Sequence, residues 1–565
     1  MTPPTDPKAS HAPSLGPGQG GTGNLTAVHR SDQESPPPPR GAAAPPRPQG
    51  LPAVPLAEVA ALLGLDAAGP WPGAVTGITH DSRAVRPGDV YAALPGANAH
   101  GAAFAPQAVA NGAVALLTDP DGAVRAADCG VPLLVVDHPR GRMGALAAAL
   151  YGRAAERLLM IGVTGTNGKT TTAYLVEGGL RGTGRETGLI GTVEMRVGNE
   201  RIKSERTTPE ATDLHAVLAV MAQSGADAVV MEVSSHALVF GRVDGVVYDV
   251  AVFNNLTPEH LDFHPDMEDY YRAKAGLFRG SGGRSPDGHS TKRRAKLGVV
   301  NLDDRYGRRL AGEAEIPVVT YSATGDPDAD WRAEAVHLGP AGSTFRVVGP
   351  DGASVDASVP LPGPFNVANA LAAITALACA GLPLEEVAAG VAAVPGVPGR
   401  MERVDRGQPY VAVVDYAHKP DALEAALRSL REVTKGRVHV VVGCGGDRDP
   451  FKRGPMGAIA ARFADTAILT SDNPRSEDPL AILHAMLGGA AGVPEAERGA
   501  VLVEPDRARA IAAAVVLAHA GDCILVAGKG HELGQYVRDE IRPFDDRAVL
   551  GEAILASHRD GDAKE

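Results

Sequence analysis

Short apolar runs recur along most of the chain, each ending in glycine or polar residues and followed by an amphipathic stretch of helical length. Leu158 to Val163 and Ala228 to Val233 read as buried strands, and the apolar runs within 249–254, 296–301, 410–415, 437–442, 465–469 and 522–527 repeat the design. Between them, stretches such as 420–433, opened by Pro420, carry the apolar spacing of helices. Strand–helix alternation predicts an α/β protein with mostly parallel sheets, whose ligands bind beyond the strands' C-terminal ends. The apolar pattern begins only at Leu51, with a short amphipathic helix expected over 56–65 and strand-like pieces broken by turns over 75–96.

Residues 1–50 are rich in Pro, Gly and Ser and hold few large apolar side chains, so they predict a disordered tail. A chain of 565 residues exceeds one domain, and the pattern divides the remainder into 51–155, 156–398 and 399–565. The net charge of −13 argues against a nucleic-acid partner and gives weight to each local group of Arg and Lys. No apolar run is long enough to span a bilayer and no secretory leader pattern opens the chain, which predicts a soluble cytoplasmic protein without a membrane partner. Cys129, Cys379, Cys444 and Cys523 lie far apart without metal-ligand spacing and read as reduced thiols. The Gly-, Ser- and basic-rich stretch 280–296 reads as a surface loop insertion.

Met160 to Thr172, MIGVTGTNGKTTT, has the layout of a phosphate-binding loop: strand, Gly-rich turn, then Lys and Thr opening a helix. Backbone N–H groups of Gly165, Thr166, Asn167 and Gly168 would converge on phosphate, beside the positive end of the helix. Lys169 would neutralise phosphate, and Thr170, followed by Thr171, offers a hydroxyl to Mg²⁺. Val163 stands where the strict pattern has its first glycine. Glu232, at the end of a strand among apolar neighbours, is placed as a metal ligand, because a buried carboxylate needs a partner. The stretch 249–264 delivers Asn254, Asn255, His260 and His264, and the helix after it holds Lys274 among apolar residues, where an unpaired cation is costly. Asn301, Asp303 and Asp304 end another strand and suit a base or ribose contact. In the last unit, DYAHKPD, GCGGDRD, DNPR and GKGHE each follow an apolar strand, so all four converge on one rim.

GTNGKTT (165–171), MEVSSHAL (231–238), the AK of YYRAKAGLF, DYAHKPD and GCGGDRD resemble the motifs of the Mur ligases from Leu51 to the C-terminus. DNPR (472–475) with GKGHE (528–532) is similar to the members that add diaminopimelate as the third peptide residue of the peptidoglycan precursor. The resemblance implies three domains: a small α/β UDP-substrate-binding domain, a central ATP-binding P-loop domain with a mostly parallel sheet, and a C-terminal Rossmann-like α/β domain that binds the amino acid. It implies ATP, UDP-MurNAc-L-Ala-D-Glu and diaminopimelate as substrates, Mg²⁺ as cofactor, and a monomer.

By the same resemblance, Ser82 and the loop Ala97, Asn98 and Ala99 would hold the uridine nucleotide. Thr207, Thr208, Ser234 and Arg242 would contact the muramoyl dipeptide, with Phe240 where some relatives have Gln and Arg206 where an Asn often precedes the threonines. Thr170 and Glu232 would hold one Mg²⁺, with His260 and Lys274, the latter an N-carboxylated carbamate, near a second. Asn301, Arg400 and Asp415 would face the nucleotide. Asp472, Asn473, Pro474 and Arg475, with Arg448, Gly528 and Glu532, would bind diaminopimelate. Its distal carboxylate, which lysine lacks, suits the two-pronged guanidinium of Arg475, and its ammonium suits Glu532. A folylpolyglutamate synthetase shares the central logic but lacks a uridine-nucleotide domain, and an ATP-driven switch would need no amino acid.

Overall fold

The computed structural model describes residues 46–562 apart from 97, 199, 205 and 281–293. Most of the expected tail, Ala97 of the expected uridine loop, and most of the expected 280–296 insertion therefore lie outside the described residues.

Sheets of four, eleven and six strands follow one another along the chain. The first is all parallel, in the order Gly77–Thr79, Asp89–Ala92, Ala115–Thr118, Leu133–Val135. The second has a parallel body ordered Thr187–Ile190, Ala228–Glu232, Leu159–Thr164, Tyr248–Phe253, Ala295–Asn301, Val318–Ser322, Trp331–Gly339. Antiparallel strands extend it at both edges: Glu194–Val197 with Glu200–Lys203 on one side, Gly342–Val348 with Ser354–Val359 on the other. The sheet is thus mixed, with the expected parallel body at its centre. The third sheet runs Glu402–Arg403, Val411–Asp415, Cys523–Ala527, Val438–Val442, Thr466–Leu469, Ala500–Val503, and only its first strand is antiparallel.

The central strands are continuous apolar runs because helices cover both faces. Every residue of Val438–Val442, VHVVV, is buried. The helix Lys169–Gly182 is set by backbone contact with Leu384–Ala392: a Cβ on Gly390 would lie 2.4 Å from the Gly178 carbonyl oxygen. Glycine here lets two helices touch main chain to main chain, which fixes the direction in which the phosphate-loop helix points. Among the described residues no helix is long and apolar enough to cross a membrane, and the four cysteines are free.

Candidate active site

The strand Leu159–Thr164 ends at a turn made by Gly165 (φ 150°) and Gly168 (φ 83°). A Cβ on Gly168 would meet Asn369 Oδ1 at 2.3 Å, so only glycine fits there. Val163, fully buried, accepts the Val233 N–H at 2.8 Å and belongs to the sheet, which moves the loop's first glycine to Gly165. Asn255 and Thr257 staple the loop from the next strand: Asn167 N–H donates to Asn255 Oδ1 (2.8 Å) and Thr257 N–H to Thr166 Oγ1 (3.0 Å). Behind it, Thr172 Oγ1 lies 3.2 Å from Asn369 Oδ1, and Asn369 donates to Asn366 Oδ1 at 3.0 Å.

Glu232 is fully buried at the end of its strand. The Thr170 hydroxyl lies 3.0 and 3.1 Å from its two oxygens, the Thr192 N–H donates at 2.7 Å, and the Thr192 hydroxyl lies 3.1 Å away. Thr207 Oγ1 sits 3.0 Å from Thr192 Oγ1, and the Thr208 hydroxyl donates to the Glu232 carbonyl at 2.8 Å. Ser234 caps the helix Ser235–Val239 by accepting from the Ala237 N–H. The expected dipeptide contacts Thr207, Thr208 and Ser234 thus ring the expected metal carboxylate. Thr192 joins them unforeseen, because no motif surrounds it.

Lys169 donates to the carbonyls of Gly165 (3.0 Å) and Thr166 (2.9 Å), and Lys274 donates to the same Gly165 carbonyl at 2.8 Å. Burial pushes the Lys274 ammonium well below its usual pKa, and the Lys169 charge pushes it further. Lys169 is also lowered by burial, against the opposing pull of Glu259 and Glu232. His260, in a left-handed conformation (φ 56°), places Nε2 3.2 Å from Glu259, and burial holds its pKa down at about 3. His264 is structural: its ring nitrogens meet Asp269 (2.7 Å) and Ser235 (3.0 Å).

The third sheet reaches into this site. Arg400 donates to Thr170 Oγ1 at 3.3 Å and lies over the Tyr416 ring, while its Nε is buried without a hydrogen-bond partner among the described residues. Lys419 forms an ion pair with Glu259. Burial alone would raise the Glu259 pKa, but Lys419, with His260 and Lys169, holds it well below the ordinary carboxylate value. Asp421 accepts from Thr257 Oγ1 (2.7 Å) and Asn167 Nδ2 (3.1 Å). Asp415 accepts the Met401 and Ala417 N–H groups at 2.7 and 2.8 Å, and burial raises its pKa. Asn301 clips two strand ends by donating to the Asn254 carbonyl (2.8 Å). Asp303 and Asp304 are engaged locally, Asp303 by the Ser322 and Thr324 hydroxyls (2.6 Å each) and Asp304 as the cap of Arg305–Glu313.

Ser82 follows Gly77–Thr79, and Asn98 and Ala99 follow Asp89–Ala92, so they share the C-terminal rim of two neighbouring strands. Ser82 donates to Gln107 at 2.8 Å. Arg242 pairs with Glu210 at 2.8 Å, and Arg140 and Arg206 approach the same carboxylate at 3.4 Å. Phe240 lies under Arg140 and Arg242, 5.9 and 5.5 Å from their guanidinium carbons. The two departures at 206 and 240 therefore meet in one arginine cluster.

On the third rim, Lys529 is fully buried and donates to Asn473 Oδ1 (2.8 Å) and Glu532 Oε2 (3.1 Å), and Asn473 Nδ2 donates to the same Glu532 oxygen at 2.8 Å. Arg475 (φ 52°) is held by its N–H on the Tyr536 carbonyl (3.0 Å) and by Nη1 on the Gly446 carbonyl (2.7 Å). Gly528 (φ 114°) lets Asp472 approach: its Cβ would meet Asp472 Oδ2 at 2.6 Å. Pro474 is buried beside them, whereas Arg448 is exposed and donates to the adjacent Asp447 carbonyl at 3.3 Å.

A phosphate loop gripped from the far side by a second α/β rim is the arrangement of a ligase that closes on its substrates, and sequence comparison gives the class. Models described as Mur ligase family, catalytic domain, Mur ligase middle domain, and Mur ligase, glutamate ligase domain match residues 74–151, 163–377 and 399–530. The chain belongs to the Mur ligase family. It is 67% identical over 511 residues to the UDP-N-acetylmuramoyl-L-alanyl-D-glutamate–2,6-diaminopimelate ligase of Streptomyces avermitilis, covering 90% of this chain and 98% of that one. Identity to the enzyme of the same name from Geobacillus kaustophilus is 45% over 480 residues, covering 85% and 95%. A solved structure of a ligase of that name superposes with TM-score 0.65 at 33% identity, covering 90% of this chain and all of that one. Mycobacterium tuberculosis folylpolyglutamate synthase shares the fold over 69% of this chain, with TM-score 0.54 and 20% identity.

Proposed function

We propose that this chain is the ATP-dependent ligase that adds diaminopimelate to UDP-MurNAc-L-Ala-D-Glu in peptidoglycan synthesis. The observation that carries the reading is that Arg400, Lys419 and Asp421 of the third sheet meet Thr170, Glu259 and Asn167 around the phosphate loop. These contacts tie the domain of the amino-acid rim to the phosphate loop, which supports one shared centre and which a nucleotide switch does not require. The loop N–H groups, the start of the Lys169–Gly182 helix and Lys169 hold the phosphates, and the buried, unpartnered Arg400 Nε supports its facing the nucleotide. The D-Glu side-chain carboxylate attacks the γ-phosphorus of ATP, giving an acyl phosphate and ADP. Glu532 and Arg475, with Asp472 beside them, hold the distal ammonium and carboxylate of diaminopimelate; the amine at its other end, having given up a proton, attacks the acyl carbon, the amide forms and phosphate leaves. Holding three substrates in line supplies much of the rate, which accounts for three domains.

Among the described residues no three His, Cys, Asp or Glu side chains gather as a metal cage. The adjacent Thr170 hydroxyl and Glu232 carboxylate are hard oxygen donors, and Mg²⁺ is bound by one or two carboxylates with substrate phosphates and water, so the residues fit that ion. Thr170 and Glu232 would hold one Mg²⁺, with His260 and carbamylated Lys274 beside a second, and the ions would neutralise phosphoryl charge. A neutral amine is the form that adds CO₂, and the lowered pKa of Lys274 supports the carbamate. Membership of the family supports action in the cytoplasm as a monomer.

Phosphate release with ATP, Mg²⁺ and UDP-MurNAc-L-Ala-D-Glu tests the reading, with meso-diaminopimelate, LL-diaminopimelate or L-lysine supplied separately. Turnover is expected with a diaminopimelate isomer and not with lysine. Release indifferent to all three would leave an ATPase and remove the ligase, and turnover with lysine alone would overturn the role of Arg475.

A further inference from the structure

Beneath the amino-acid rim lies an ion pair that the reaction itself does not use. Arg507 and Asp546 have side chains that are both 0% exposed, joined by Nε and Nη2 at 2.7 Å each. Arg507 is the first residue of the helix Arg507–Leu517, and Asp546 opens the C-terminal helix Asp546–Asp562. A cation at a helix N-terminus faces the positive end of the dipole, so local helix electrostatics do not explain the placement. Nor does stability, because an apolar pair of similar volume fills such a space about as well once desolvation is counted.

What an apolar pair cannot supply is the rest of the fork. Nη2 also donates to the Ala527 carbonyl at 3.0 Å, and Nη1 reaches the Ser471 carbonyl at 3.4 Å. These residues immediately precede Gly528 and Asp472, where the GKGHE and DNPR loops begin. Their strands, Cys523–Ala527 and Thr466–Leu469, are not neighbours; Val438–Val442 lies between them. One rigid guanidinium therefore spans the intervening strand and ties both loop roots, while Asp546 fixes its plane. Above it, Gln535 donates to the Asp472 carbonyl at 2.7 Å, and Lys529 binds both Asn473 and Glu532.

We propose that Arg507, oriented by Asp546, is a positioning residue that sets the spacing between the DNPR and GKGHE loops, and with it the selection of diaminopimelate. The proposal rests on the reading of this rim as the diaminopimelate site.

The test uses the full chain and three variants: the double variant Arg507→Met with Asp546→Leu, the single variant Arg507→Lys, and Arg475→Ala. Melting temperature and the KM values for all three substrates are measured, with the preference for diaminopimelate over L-lysine. The double variant is expected to fold, to raise the diaminopimelate KM about tenfold or more, to lower the preference by a similar factor, and to leave the other two KM values within about twofold. A folded double variant with unchanged diaminopimelate KM and preference overturns the proposal, as does an equal rise in all three KM values. If the double variant does not fold, Arg507→Lys decides by the same readings, since it keeps the charge and loses the fork. Arg475→Ala separates the two layers. If it leaves the diaminopimelate KM unmoved, the rim reading itself falls. If it raises that KM while the Arg507 variants do not, only the positioning role falls.

Discussion

Lys274 and Lys529 are both buried at the C-terminal rims of parallel sheets, yet they sit in opposite electrostatic settings. Lys274 donates to one carbonyl oxygen that it shares with Lys169, lies over the Tyr270 ring, and feels the Lys169 and Lys419 cations against the single Glu259 carboxylate. Lys529 donates to a carboxylate and an amide oxygen, with the Asp472 carboxylate 4.0 Å away. The first neighbourhood gathers more positive charge than it neutralises, as a site for phosphate should. The second closes its charges on one another and leaves a carboxylate to greet an ammonium. The same side chain under the same burial thus stands among cations in one place and among carboxylate and amide oxygens in the other.

Removing the reactive amine should have the largest effect. Lys274→Ala is expected to lower kcat by about a thousandfold or more, with partial recovery on adding short-chain carboxylates, followed by phosphate release. Full activity in this variant would erase the contrast and the carbamate with it. Lys529→Met should act differently: the diaminopimelate KM is expected to rise about tenfold with the ATP KM unmoved, and thermal unfolding to report a loss of about 1–3 kcal/mol, because Glu532 is partly exposed and part of its charge is screened. Equal changes in both KM values would mean that the two lysines are not distinct. The smallest effect is expected at the bridge between the regions. Lys419→Met should raise the ATP and diaminopimelate KM values together by about threefold. The depressed Glu259 pKa makes its share of the bridge fully present above the ordinary value of 4.5 and lost only as pH falls through the lower folded value. Glu259 should therefore add no pH dependence to that penalty between about pH 6 and 9, as steady-state kinetics across that window would show.

The parallel bodies of the sheets were legible because buried strands leave uninterrupted apolar runs, as in Cys523–Ala527. The antiparallel edges were not, since Glu194–Val197 and Glu200–Lys203 mix charged and apolar residues like any surface loop. Lys169, Glu232 and Lys274 announced themselves as charges inside apolar or glycine-rich motifs. Thr192, Glu259 and Asn369 did not, because Glu232, Lys419 and Thr172, which they meet, lie elsewhere in the chain, and Asn366 serves to hold Asn369. A signal existed for the asparagines: three apart on the otherwise apolar helix Pro364–Cys379, they share one face. Another linked Lys169, Lys419 and Arg507, each a cation at a helix N-terminus against the local dipole. Broken local rules of this kind mark positions answering to a ligand or a distant carbonyl.

The bonds from Arg400 and Asp421 to the phosphate loop, with the Lys419–Glu259 pair beside it, would also act as a clock. On the function proposed above, the residues that face the nucleotide are also those that tie the third domain to the loop, so ADP would leave only once they part. A tighter grip would lengthen the dwell of product and slow every cycle, and a looser one would let the acyl phosphate meet water before the amine arrives.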